Sequence, residues 1–111
     1  ALEVVPELMS GPTPPDAIFA VNDMTAAGTI NALKGMGIKI PDQVSVVGFT
    51  DGLVSTVTDP PLTTVSQHGF EIGKKSMNML LERINNPDSN IKPYTVVIKT
   101  ELIVRGTTRL P

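Results

Sequence analysis

DAIFAVNDMTAAGTINALKGMGIKIPDQVSVVGFTDG, residues 16–52, decides the fold class. Within it, Ala17–Val21 (AIFAV) is a short apolar run between a proline-rich loop and Asn22-Asp23. A run of this kind predicts a strand buried on both faces, as in a parallel sheet. Asn22 and Asp23 are both strong helix-capping types. After them Ala26, Ile30 and Leu33 recur at helical spacing, with Ala27 beside them. Gly35 and Gly37 supply helix-ending positions, and Pro41 closes the connection. Val44–Phe49 (VSVVGF) is again apolar and β-branched. Strand, helix and strand within about thirty residues make a βαβ crossover, which requires parallel pairing and a right-handed connection. The class is therefore α/β with a parallel sheet.

Outward from this unit the signals thin. Ala1–Met9 (ALEVVPELM) is compatible with a partial helix despite Pro6, and Ser10–Asp16 (SGPTPPD) reads as a loop. Thr50–Pro61 reads as a long polar loop, and Leu62–Val65 as a short strand. Phe70, Gly73, Met77, Leu80, Leu81 and Ile84 mark the buried stripe of a second helix, stopped at Asn85-Asn86-Pro87. Asp88–Pro93 is a loop. Tyr94–Lys99 and Glu101–Arg105 are strand-like, and Gly106–Pro111 is a tail.

Composition removes several function classes. The chain has 111 residues and a formal charge of −2, so it has no basic footprint for holding nucleic acid by itself. It has no cysteine and one histidine, His68, which excludes disulfides, thiolate sites and multi-histidine metal sites within one chain. No apolar run approaches the roughly 20 residues needed to cross a bilayer. No G-x-G-x-x-G, P-loop or G-x-S-x-G pattern occurs. No catalytic residue, metal or cofactor is called for. The chain opens at Ala1 without an initiator Met, inside what reads as the end of a helix, and is expected to be a piece of a longer protein.

Candidate binding residues follow from topology. Ligands of open α/β sheets bind at the carboxyl ends of the strands. Asn22 stands at the first strand end, and its amide both donates and accepts, which suits ligand hydroxyls. The competing reading is a helix cap. Thr50 and Asp51 follow the second strand at the same edge, where a carboxylate can accept from hydroxyls; the competing reading of Asp51-Gly52 is a plain turn. Gln67 and His68 stand at the third strand end. A lone histidine without an oriented partner is weak ground for catalysis.

Taken in order, residues 16–52, DPPLTTVSQHGFEIGKKSMNMLLERI (59–84) and ELIVRGTT (101–108) resemble the C-terminal part of LacI/GalR-type bacterial transcription regulators. The resemblance runs from about Pro15 onward. The PPLTTV-x-Q piece favours the regulators over transport-type sugar-binding proteins of the same fold, which are the alternative. It implies a periplasmic-binding-protein-like (type I) sensor fold of roughly 250–300 residues in the intact protein. A helix-turn-helix headpiece would precede that sensor and make the operator DNA contacts. Residues 1–66 would then be the later half of the C-terminal lobe, 67–99 a segment of the N-terminal lobe, and 100–111 the return crossover and tail.

The resemblance also implies a cytoplasmic homodimer that senses a small polar effector, a sugar or sugar derivative, in an inter-lobe cleft and controls operator binding allosterically. It makes no bond and needs no membrane. Asn22 matches an effector-contacting position, Asp23 a structural acidic residue, and Gln67 a crossover residue lining the cleft. Thr50 departs from the pattern, because many members place an Asp there as the effector's carboxylate partner. Asp51 is adjacent but should point differently, since residues at strand ends alternate. The positions matching the family's dimer surface are Ala27, Asn31, Val54, Ser55, Val57 and Thr58.

Overall fold

The computed structural model describes residues 1–88 and 90–110; Ser89, in the expected 88–93 loop, and Pro111, the end of the expected tail, lie outside the described residues. Eight elements follow one another: α1 (Val4–Met9), β1 (Ala17–Phe19), α2 (Asp23–Gly35), β2 (Ser45–Thr50), α3 (Val54–Val57), β3 (Thr63–Ser66), α4 (Gly69–Asn85) and β4 (Glu101–Ile103). The sheet order is β1-β2-β3-β4. β1, β2 and β3 are parallel, with Ile18 opposite Val46 and Val47 opposite Thr63. β4 runs antiparallel to β3, with Leu102 opposite Val65.

The βαβ unit forms for the reasons its sequence suggests. Asn22 starts α2 in extended conformation, and its Oδ1 accepts from the Thr25 N–H at 2.8 Å. Gly37, at φ 73°, ends it. The Gly37 N–H donates to the Lys34 carbonyl and the Ile38 N–H to the Leu33 carbonyl, both at 3.0 Å, which is a Schellman closure. Ala26, Ile30 and Leu33 are buried against Val44, Val46 and Leu62, with Val5 of α1 and Ala20 completing the core on one face of the sheet.

Three expectations are corrected. β1 is not buried on both faces: Phe19 is 65% exposed, because β1 lies at the edge of the sheet and the core covers only one side. Phe19 instead meets Phe49 edge-on, with centroids 6.4 Å apart, on the outer face. The 50–61 loop contains the short helix α3, whose Ser55 and Thr56 hydroxyls donate back to the Gly52 and Leu53 carbonyls. Tyr94–Lys99 forms no strand, because a strand needs a neighbour for its backbone groups and, among the described residues, no strand pairs with this segment. Val96 and Ile98 lie instead along α4, in a shallow groove with Ile72, Lys75 and Met79.

α4 has the expected length and stop, yet none of its residues is buried. Phe70 is 85% exposed, and Met77, Leu80, Leu81 and Ile84 are exposed too. With α4 standing clear of the core, the chain measures 62 × 23 × 23 Å with a radius of gyration of 19.1 Å. A compact chain of this length would have a radius of about 13 Å.

The residues after β4 are bonded to the sheet without forming a strand. The Val46 N–H donates to the Thr107 carbonyl, the Thr107 hydroxyl donates to the Val46 carbonyl at 2.6 Å, and the same hydroxyl accepts from the Thr63 N–H at 2.8 Å. Thr107 is fully buried. Replacing it with the near-isosteric valine leaves a backbone donor and acceptor unpaired without opening a cavity. The expected loss is about 2–3 kcal/mol of stability, read as a lower urea midpoint at unchanged slope.

Candidate functional site at the strand ends

Parallel pairing brings the C-terminal ends of β1, β2 and β3 to one edge of the sheet, and with them Asn22, Thr50 and Gln67. Thr50 and Gln67 meet directly: Gln67 Nε2 donates to Thr50 Oγ1 at 3.4 Å. Thr50 is exposed and Gln67 half-buried, so both reach solvent. Asn22 is exposed at the neighbouring strand end. Its Oδ1 serves the helix cap, which leaves the Nδ2 donors for another acceptor. The capping and binding readings of Asn22 therefore use different atoms of one side chain.

Asp23 plays the structural part expected of it, and more. It is buried, its Oδ2 accepts from the Gly52 N–H at 2.8 Å, and its Oδ1 accepts from the Thr64 hydroxyl. One carboxylate thus ties the start of α2 to the turn after β2 and to β3. Gly48 lies directly beneath it, and a Cβ there would overlap Asp23 Oδ1 and Leu62 Cδ2.

Asp51 does not present a free carboxylate at the strand ends, because one of its oxygens is held by Arg105. Arg105 Nη2 donates to Asp51 Oδ1 at 2.7 Å, and the two side chains are 21% and 25% exposed. Arg105 Nη1 donates to Ser55 Oγ and to the Leu62 carbonyl, each at 3.0 Å. Ser55, expected on the dimer surface, is fully buried inside this network, with its hydroxyl donating to the Gly52 carbonyl at 2.7 Å. A partner chain could not touch it. Ala27, Asn31, Val54, Val57 and Thr58 keep some exposure, and Val57 is 71% exposed.

Thr50 and Asp51 carry φ angles of 136° and 60°. Two successive non-glycine residues at positive φ cost about 1–3 kcal/mol each, so surrounding bonds must hold them. Sequence reasoning missed the residue that supplies one of those bonds, Arg105. The available signal was a guanidinium inside the apolar run LIVR, which needs a carboxylate from elsewhere in the fold.

His68 has a left-handed backbone, and its Nε2 lies 3.9 Å from Glu101 Oε2, beyond hydrogen-bond range. Its backbone N–H donates to Ser66 Oγ at 3.4 Å. Among the described residues no group of three His, Asp or Glu side chains could hold a metal ion. None of the helices there is long and apolar enough to cross a membrane.

Comparison with known proteins gives the geometry a family. Residues 2–108 match the periplasmic binding protein-like domain. The chain is 38% identical over 96 residues to the HTH-type transcriptional repressor PurR of Haemophilus influenzae, covering 86% of this chain and 29% of that protein. It therefore spans under a third of the relative's length. A LacI family transcriptional regulator from Enterococcus faecalis, solved with bound ribose, is 34% identical with a TM-score of 0.83, over 96% of this chain and 39% of that one. One from Lactobacillus casei, solved with bound sucrose, is 26% identical with a TM-score of 0.82, over 96% and 39%. The parallel sheet, the strand-end cluster and these likenesses agree: the chain belongs to the periplasmic-binding-protein-like sensor domains of the LacI family of transcription regulators.

Proposed function

We propose that the strand-end cluster binds an uncharged small polar effector of the sugar class. We further propose that binding closes two lobes on one another and so changes operator affinity through a DNA-binding segment elsewhere in the intact regulator. The observation that carries this is the meeting of Thr50 Oγ1 with Gln67 Nε2, beside Asn22, at the ends of parallel strands. All three side chains are neutral donors and acceptors. Asp51, next to Thr50, is already paired with Arg105. Such a set suits hydroxyl groups and offers no counter-charge to an ionic ligand. Ribose in the Enterococcus regulator and sucrose in the Lactobacillus one are ligands of this kind.

In the same reading, residues 67–99 belong to the second lobe, which accounts for a helix whose apolar stripe is entirely exposed. The chain crosses between lobes near Ser66-Gln67 and again near Lys99–Glu101. The dimer surface is formed by Ala27, Asn31, Val54, Val57 and Thr58, around the exposed side chain of Val57. The intact protein works in the cytoplasm as a regulator and catalyses nothing.

The test separates the two uses of Asn22. Asn22→Asp retains a capping oxygen for the Thr25 N–H and removes the amide donors. In the intact regulator, titrated calorimetrically with ribose and with sucrose, this variant should bind roughly 10-fold more weakly while melting at an unchanged temperature. Unchanged affinity removes Asn22 from the site. Absence of any heat with both sugars in the unaltered protein counts against the sugar class.

A further inference from the structure

We propose that Arg105 is a positioning residue of the strand-end pocket, holding Thr50 in the backbone conformation that turns it to the ligand edge. The proposal rests on the reading of Thr50 as a ligand-facing residue, but the geometry that carries it stands by itself. Thr50 and Asp51 are consecutive non-glycine residues at positive φ. Thr50 ends β2 in register with Ser66 of β3, but its side chain adds little hold: it is exposed, and its hydrogen bond is the 3.4 Å contact from Gln67. The rest of the hold comes from the residues that follow. Gly52 is held by Asp23 through its N–H, and by Ser55 through its carbonyl. Asp51 is held chiefly by Arg105 at 2.7 Å, with a longer 3.3 Å contact from the Ser55 hydroxyl to the same oxygen.

Arg105 is itself fixed at three points besides that carboxylate. Its guanidinium donates to Ser55 Oγ and the Leu62 carbonyl, and its backbone N–H donates to Thr63 Oγ1 at 2.8 Å. A planar donor set spread over a carboxylate, a hydroxyl and a carbonyl fixes an orientation that a point charge cannot. The consequence is long-range. Arg105 lies 54 residues from Asp51 in sequence and stands two residues after β4. The segment that returns along β4 therefore sets the backbone of the pocket edge, and a displacement of that segment reaches Thr50 through one ion pair.

The experiment reads the backbone at Thr50, not ligand binding, so it succeeds or fails independently of the effector assignment. In the 111-residue chain, the amide-to-Hα coupling of Thr50 is measured by NMR in the unaltered protein and in Arg105→Gln, alongside thermal melting. A φ of 136° gives a small coupling and an ordinary extended residue gives a large one. Arg105→Gln should raise the Thr50 coupling several-fold and shift the Gln67 side-chain amide signals. Arg105→Lys should restore the small coupling only in part, because an ammonium that reaches Asp51 cannot also serve Ser55 and Leu62. A lower melting temperature with an unchanged Thr50 coupling overturns the proposal, since the ion pair would then stabilise the lobe without setting the pocket. Should Arg105→Gln fail to fold, Asp51→Ala is read in the same way. It removes the anchored carboxylate but leaves Arg105 its bonds to Ser55 and Leu62, and an unchanged Thr50 coupling there overturns the proposal equally. Silence of ribose and sucrose in the intact regulator would defeat the ligand reading and leave this coupling result untouched.

Discussion

Asp23→Ala is expected to remove about 3–5 kcal/mol of stability, enough to leave this lobe largely unfolded at physiological temperature. The size follows from what the carboxylate holds. Asp23 is 3% exposed, and both its oxygens are used. Truncation strands the Gly52 N–H and the Thr64 hydroxyl in a site that water cannot easily reach, at about 1–3 kcal/mol for each orphaned group. It also removes a negative charge from the first turn of α2, where the helix dipole favours one. Gly48 lacks a Cβ because the carboxylate occupies that space, so Gly48 itself has nothing to fill the void. Asp23→Asn separates these contributions. It keeps the volume and one acceptor oxygen, and should cost roughly half as much. Urea denaturation of the two variants beside the unaltered chain checks the ratio. Equal losses for Ala and Asn would show that the charge, not the pair of hydrogen bonds, is what the lobe depends on.

How much of this was legible beforehand differs by element. The βαβ unit announced itself because each signal in it is local: the apolar run of β1, the Asn22 cap, the stripe Ala26-Ile30-Leu33, the positive-φ Gly37 and the β-branched run of β2. The clustering of the candidate residues was legible for a topological reason, since parallel strands put every strand-to-helix junction at one end. Asn22, Thr50 and Gln67 needed no contact information to be placed together. What stayed hidden depends on partners far away in the chain. Nothing near Asp51 shows that its carboxylate belongs to Arg105, and nothing near Ser55 shows that its hydroxyl is buried beneath a guanidinium. α3 was hidden because Val54, Thr56 and Val57 are β-branched and the stretch reads as a polar loop; side-chain bonds back to the preceding carbonyls help make it helical. Tyr94–Lys99 has the composition of a strand without a neighbouring strand. The periodicity of α4 marks an apolar stripe, but the burial expected of it is not found, because periodicity does not say which surface covers a stripe.

That uncovered face leads to the second large effect. Backbone amides in α4 should exchange with solvent at least ~10³-fold faster than those in the centre of β2 when the 111-residue chain is measured at low micromolar concentration. Val46 is fully buried in the central strand and its N–H donates to the carbonyl of the equally buried Thr107, so its amide is released only when the core opens. α4 is 17 residues long and has no buried residue. A helix of that length without tertiary support is marginal in water, because nucleation is costly and each added residue contributes little. Its visible supports are the segment carrying Val96 and Ile98 along one side and the 3.3 Å hydrogen bond from Tyr94 Oη to Glu82. Opening α4 therefore exposes little new apolar surface and should cost only about 0–1 kcal/mol, against about 5 kcal/mol or more for the core. Raising the protein concentration tests whether the exposed Phe70, Met77, Leu80 and Ile84 find one another between chains, since association would slow α4 exchange selectively. The same amides measured in the intact regulator provide the decisive comparison. If residues 67–99 pack into a second lobe, protection in α4 should climb toward that of β2, whereas protection within β2 should change little. Equal, fast exchange of α4 in both forms would mean that its apolar stripe is not a lobe-packing face at all.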